Sequence, residues 1–141
     1  MVLADGAGAP LGIYVEAASP AEVTLLPDTL NQLADNVEAA DLQGWPQRLI
    51  ADRGYDSNPA RKLLEECEIE PVIPARKNNR RATHQDGRKL RRYRKRWIIE
   101  RTNAWLQNFR RIVVRYERKA SNFEALVHLA CALIIMKRVL G

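Results

Sequence analysis

YRKRWIIERTNAWLQNF, residues 93–109, is the stretch from which the rest of the chain is read. Advancing it by about 100° per residue, as a helix does, sets Tyr93, Arg96, Glu100 and Gln107 within one narrow arc. Ile98, Thr102, Trp105, Leu106 and Phe109 collect on the opposite side. One face is built for a core, and the other carries a carboxylate beside a guanidinium and a phenol. Glu100 is the only acid between Arg88 and Arg115. In so basic a stretch it is either a local ion-pair partner or a group kept for chemistry, and this segment alone leaves both open.

Working outward, the charge is divided. Residues 1–70 hold 4 Lys/Arg and 13 Asp/Glu, a balance of −9, and residues 71–141 hold 19 and 4, a balance of +15; together these return the net +6. A basic half of that strength suits a polyanion such as nucleic acid, although it also suits a solvated surface or the acidic half as partner. At 141 residues the chain is long enough for one domain with a real core. Its longest apolar run, residues 129–136, falls well short of the roughly 20 residues a membrane span needs. The opening MVLADGAGAP lacks a basic region followed by an apolar core, so no signal peptide is expected. Cys67 and Cys131 lie far apart and form no metal-spacing motif, which points to buried thiols in a reducing, cytoplasmic compartment. His84 and His128 lack clustered partners and are not zinc ligands on this reading.

The pattern along the chain alternates. Residues 1–4 and 11–17 flank a glycine-rich turn and predict a hairpin. Ser19, Pro20 and Glu22 predict a capped helix start, with a helix from about Pro27 to Val37 after a first short turn. Leu26, Leu30 and Leu33 give that helix its apolar stripe. Residues 47–51 predict a strand ending at Asp52, and Asn58 and Pro59 begin a second helix that turns Leu63, Leu64 and Cys67 inward. Residues 69–74 predict another strand, at a sheet edge because of its prolines. A basic loop follows over about 76–92, then a helix over 93–109, then residues 112–116. A last helix over 122–138 has Ser121 and Glu124 as a capping box. Its buried face is Phe123, Leu126, Val127, Ala130, Leu133 and Ile134. Strands alternating with helices imply a mixed α/β sheet with helices on its faces.

Asp52 ends an apolar strand just before a glycine loop, where ligands and catalytic groups of α/β sheets are usually found; it is equally a common turn former. Two carboxylates converging from a strand end and a helix, Asp52 and Glu100, would suit a hard cation such as Mg²⁺. A pair of such ions can clamp the attacking and leaving oxygens of a phosphoryl transfer.

ADRGYDS (residues 51–57), PVIPAR (71–76) and YRKRWIIERTNAWLQNFRRIVVRYER (93–118) resemble the C-terminal half of DDE transposases of bacterial insertion sequences. The likeness is to the group usually numbered five within the wider group numbered four. DGAGAPLG (5–12) and ASPAEVTLL (18–26) fit as well, so the resemblance spans essentially all of residues 1–141. The tyrosine, arginine and glutamate spacing of Tyr93, Arg96 and Glu100 is the wider group's signature. The resemblance implies an RNase H-like α/β fold and a cut-and-join reaction on DNA dependent on Mg²⁺ or Mn²⁺. It makes Asp52 the second catalytic aspartate and Glu100 the catalytic glutamate, both metal ligands. It places Tyr93 and Arg96 at DNA phosphate near the cleavage point. Arg110, Arg111 and Arg115 are further candidates for DNA contact, or for pairing with the acidic half.

Two departures stand out. The wider signature has a lysine or arginine seven residues after the glutamate, where this chain has Gln107. The family's first aspartate lies on an opening strand for which this sequence has no counterpart, since Asp5 matches a turn aspartate in the hairpin. The expectation is a sheet lacking its first strand and a chain with little or no activity alone. The partners implied are transposon-end and target DNA, with an N-terminal transposase half or a full-length relative. A non-catalytic DNA-binding or inhibitory fragment is the alternative, and a decayed remnant prone to forming a homodimer or aggregate through its unpaired sheet edge is the third reading. Trp105 reads as core, and Trp97 as core or as a surface on which a base could stack.

Overall fold

The computed structural model describes residues 1–16, 19–39, 44–76 and 90–140. Strands β1 (Val2–Ala4) and β2 (Pro10–Ile13) form an antiparallel hairpin. Helix α1 (Leu26–Ala39) follows a 3-10 turn, Glu22–Leu25. Strand β3 (Arg48–Ile50), a second 3-10 turn (Arg53–Tyr55), helix α2 (Asn58–Glu66) and strand β4 (Glu70–Val72) form a parallel crossover unit. A third 3-10 segment (Arg91–Arg96) runs into helix α3 (Trp97–Gln107). Helices α4 (Arg110–Val113) and α5 (Ala120–Leu140) complete the chain.

The fold is mixed α/β, as the alternation of patterns implies. It differs from the expected single sheet in one respect. Among the described residues the strands make two separate two-stranded ladders, β1 with β2 and β3 with β4. A groove of about 480 Å³ is lined by Leu3 from β1 and Leu49 from β3 among others.

Both ladders are packed by helices on the apolar stripes the sequence shows. Leu26, Leu30 and Leu33 of α1 are buried with Leu64 of α2 and with Ile69 and Ile73 around β4. A second cluster joins Ile13 of β2 to Leu106 of α3 and to Val127, Ala130, Cys131 and Ile134 of α5. Phe123, Leu126 and Leu133, expected in the buried face of α5, are half-buried.

Several boundaries shift, for local reasons. Gln47 and Ala51 lie outside β3, and Ile69, Ile73 and Pro74 outside β4, because each ladder holds only three paired residues. β2 ends at Ile13, short of the expected strand, and residue 17 lies outside the described residues. The Ser19–Glu22 capping box does not form: Ala21 is the N-cap of the first 3-10 turn and no side chain caps it. Helix α5 begins at Ala120, which puts Ser121 inside its first turn rather than before it. Ser57 caps α2 by accepting from the Ala60 N–H at 3.3 Å. Of the basic run 76–92, residues 77–89, His84 among them, lie outside the described residues.

The hairpin turn is clasped from far along the chain. Asp5 Oδ1 accepts from the N–H groups of Ala7 and Ala9 at 2.9 and 2.7 Å, so the carboxylate shapes the turn. Gly8 holds φ at +89°, and a Cβ there would meet Arg101 Nη2 at 3.0 Å and Thr102 Oγ1 at 3.1 Å, so both conformation and contact require glycine. Thr102 Oγ1 donates to Gly8 O at 2.9 Å and Arg101 Nη2 to Ala7 O at 2.6 Å. Arg138 Nη1 of α5 donates to the same Ala7 oxygen. Three side chains of α3 and α5 thus fix the hairpin's tip.

Candidate active site

The helix expected over residues 93–109 is two kinds of helix, and the change at Arg96 and Trp97 builds the site. Residues 91–96 read RRYRKR. They form a 3-10 segment, where three residues per turn bring i and i+3 into line. Tyr93 therefore lies directly along the edge from Arg96, whose Nη1 donates to the Tyr93 hydroxyl at 2.9 Å. From Trp97 the chain is α-helical, and the i, i+4 spacing brings Glu100 under Arg96 from the other side. Arg96 Nη2 donates to Glu100 Oε1 at 2.7 Å. The guanidinium is held between a phenol and a carboxylate. The Glu100 and Tyr93 hydrogen bonds hold its pKa above the ordinary arginine value. The side chains of Arg96 and Glu100 are 41% and 59% exposed, so solvent and a ligand reach both.

Asp52 lies where the sequence places it, just past the carboxyl end of β3 and exposed. Its Oδ1 accepts from the Gly54 N–H at 2.7 Å, capping the Arg53–Tyr55 turn. A Cβ at Gly54 would lie 2.8 Å from Asp52 Oδ1, so a larger residue there would have to displace that carboxylate.

A network absent from the sequence reading fixes this loop. Asp56 is 6% exposed. It receives Arg61 Nε at 3.0 Å and the backbone N–H of Arg76 at 2.8 Å. Arg76 in turn donates from Nε to Arg53 O at 2.8 Å and from Nη2 to Gly54 O at 2.7 Å. Arg61 Nη2 reaches Ile73 O at 2.9 Å. The arginine of PVIPAR thus ties the end of β4 to the ADRGYDS turn and holds the backbone that carries Asp52. A signal was available: two aspartates four apart, followed by Arg61 and Arg76, near an apolar strand end.

The 3-10 segment with Tyr93 and Arg96 packs on the β3–β4 ladder. Glu70 of β4 joins them, with Arg48 Nε at 2.8 Å and Arg92 Nη1 at 3.7 Å from its Oε2. Tyr93, Arg96 and Glu100 are brought into direct contact; Asp52 is held on the neighbouring ladder by its own turn. No group of three His, Cys, Asp or Glu side chains among the described residues could hold a metal ion. Asp52 and Glu100 are hard oxygen donors of the right chemical type, but the described residues alone do not complete a metal site.

The remaining candidates differ in setting. Arg110 is exposed at the start of α4. Arg111 lies 3.6 Å from Glu117, and Arg115 donates to Glu117 O at 3.1 Å while its guanidinium covers the Phe123 ring at 5.5 Å. Trp97 is 52% exposed, with the Arg101 guanidinium 4.7 Å from its ring centroid. Arg101 also lies 4.8 Å from the half-buried Trp105 ring, so one arginine fills the space between two indoles.

Residues 1–135 match the family described as Transposase DDE domain. The chain belongs to the DDE transposase family. It is 38% identical over 135 residues to a protein of Burkholderia cepacia named for transposition of the insertion sequence element IS402. That match covers 94% of this chain and 60% of the relative, so the chain spans less than two thirds of the relative's length. No solved structure matches the chain significantly. No helix of the described residues is long and apolar enough to cross a membrane. Within this DDE transposase sequence Gln107, where the wider signature has a cation, is the exposed last residue of α3.

Proposed function

We propose that this chain supplies part of a DNA cleavage and strand-joining site in an RNase H-like arrangement, with Asp52 and Glu100 as metal ligands. The observation that supports it is the Tyr93–Arg96–Glu100 chain of hydrogen bonds, with its cation held ready at an exposed carboxylate. A divalent Mg²⁺ or Mn²⁺ would activate the attacking oxygen and neutralise charge on the phosphate. The chain's own groups do the positioning. Arg96 offers its guanidinium to a non-bridging phosphate oxygen, as arginine does with a planar fork. The Tyr93 hydroxyl orients that fork and donates to a second oxygen. Arg76 and Asp56 keep the Asp52 turn in place. A further carboxylate comes from transposase sequence that this chain does not span.

Labelled transposon-end DNA incubated with Mg²⁺ or Mn²⁺ tests this reading. The chain alone should bind without cutting; adding the remaining transposase polypeptide should give cleavage that Glu100→Gln or Asp52→Asn abolishes. Strong cleavage by the isolated chain would overturn the need for a second contribution.

The charge division supports a second reading, a non-catalytic DNA-binding or inhibitory role. Phosphate contacts make such binding steeply salt-dependent and weakly sequence-specific. No binding even at low salt would exclude it.

A further inference from the structure

Most of the large apolar side chains that this chain leaves in the open lie on or beside one helix. Leu129, Ile135, Met136, Val139 and Leu140 of α5 are 38–82% exposed, and Val113, Val114 and Tyr116, shortly before that helix, are 50–72% exposed. Elsewhere among the described residues only Leu11, Trp45 and Trp97 are large, apolar and exposed. The inner side of α5 is accounted for. Val127, Ala130, Cys131 and Ile134 enter the core with Ile13 and Leu106, and Arg138 holds the hairpin tip. A helix packed on one side normally turns charge outward on the other. Advanced at about 100° per residue, the outer arc of α5 runs from Asn122 and Ala125 through Leu129, Ala132 and Met136 to Val139. The charges of the helix, Glu124, Lys137 and Arg138, all fall outside that arc. His128 stands at its edge, 3.5 Å from Gln32 of α1.

The spacing selects a helix as the partner. Residues 122, 125, 129, 132, 136 and 139 advance in alternating steps of three and four, the seam along which one helix packs on another. A face without a cation is a poor one for nucleic-acid phosphate. The side-chain sizes select the partner further, because the seam complements its own antiparallel copy. With a two-fold axis level with residues 130 and 131, Ala125 meets Met136 of the second copy and Leu129 meets its Ala132. Each alanine thus takes a large side chain opposite it, as a self-complementary two-fold interface requires. The same arrangement lays Val139 and Leu140 of one copy at the helix start of the other, where Val113, Val114 and Tyr116 lie open. The area agrees. At on the order of 100 Å² per large apolar side chain, these residues at their exposures offer roughly 500 Å² per copy and roughly 1,000 Å² in a pair, the lower bound for a specific interface.

We propose that α5 pairs antiparallel with α5 of a second copy of this chain, through the seam from Ala125 to Val139. The product is a weak two-fold dimer, with a dissociation constant in the micromolar range because its area is small. Both copies use the same patch, so the contact closes on itself and assembly stops at two. The interface leaves the strand edges untouched, and it stands apart from the DNA reading above, since no residue of the Tyr93–Arg96–Glu100 group takes part.

Sedimentation equilibrium of the full chain from about 1 to 300 μM, in buffer free of DNA, tests this. A reversible monomer–dimer curve is expected. Leu129→Lys and Ala132→Glu should each weaken the dimer by about tenfold or more, with helix content and melting temperature unchanged because both positions are exposed. Mixed in equal amounts, the two variants should pair again, since the lysine of one copy then meets the glutamate of the other. A chain monomeric at every concentration would overturn the proposal, as would assembly that grows past the dimer or that needs DNA. So would a dimer that both variants retain, or variants that fail to rescue each other when mixed. A chain that stays monomeric alone but forms a complex with the remaining transposase polypeptide, broken by Leu129→Lys, would assign the face to that partner instead. DNA binding and cleavage play no part in the readout, so either reading can fail while the other stands.

Discussion

The buried carboxylate of Asp56 accepts the backbone N–H of Arg76 at 2.8 Å across 20 residues of sequence. With Arg61 on its other oxygen, it fastens the end of β4 to the turn that presents Asp52. Asp56→Asn keeps the shape and removes the charge, leaving Arg61 poorly compensated. The expected loss is about 2–3 kcal/mol in a urea melt, the usual cost of breaking a buried charge-assisted pair. An unchanged midpoint would remove this network from the account of the site.

Arg96 is the opposite case. Its ion pair with Glu100 is exposed on both sides, so that pair adds little to stability. Arg96→Ala should leave the melting temperature nearly unchanged. It should weaken DNA binding evenly across sequences and lower the slope of log affinity against log salt by about one. A melting temperature that collapses with unchanged DNA affinity would make Arg96 structural.

Glu68 holds φ at 59°, the left-handed conformation, just past the end of α2. It lets the Ile69 N–H reach Leu64 O at 2.7 Å and close the helix. Glycine takes that conformation without Cβ strain. Glu68→Gly should stabilise the chain by about 0.5–1 kcal/mol, read as a higher denaturation midpoint at unchanged slope. A lower midpoint would show that the glutamate side chain matters more than its backbone.

Burial in the α5 core pushes the Cys131 thiol from 9.0 up to about 11. The folded state thus disfavours the thiolate. Stability from this group is intact below pH 9 and is lost as pH rises from 9 towards 11, on the order of 2–3 kcal/mol in all. Tyr55, raised mainly by burial, adds its own loss above about pH 10. Subtracting the pH–stability curve of Cys131→Ala isolates the cysteine. Parallel curves for the two proteins between pH 9 and 11 would refute the assignment.

What the sequence made legible follows from how local each pattern is. The leucine stripe of α1 and the strand end at Asp52 are short-range patterns, and both stand where periodicity puts them. The Tyr93, Arg96 and Glu100 arc survived a wrong helix type, because a 3-10 step of three and an α step of four place the same residues on one edge. Asp56, Arg61 and Arg76 were missed as a unit because their partnership depends on the parallel crossover between β3 and β4. The expected single sheet resolved into two ladders for a similar reason. Strand propensity marks the strands, but pairing depends on what fills the space beside each edge.

The hairpin tip held by Arg101, Thr102 and Arg138 has a topological result. Contacts spanning 94 and 131 residues close the backbone into a ring, with the join made by hydrogen bonds instead of a peptide bond. A single nick within that ring would open the covalent chain without freeing either piece. With the apolar cluster that joins β2 to α3 and α5 added to those bonds, the two fragments should migrate together on a native gel and part only in denaturant.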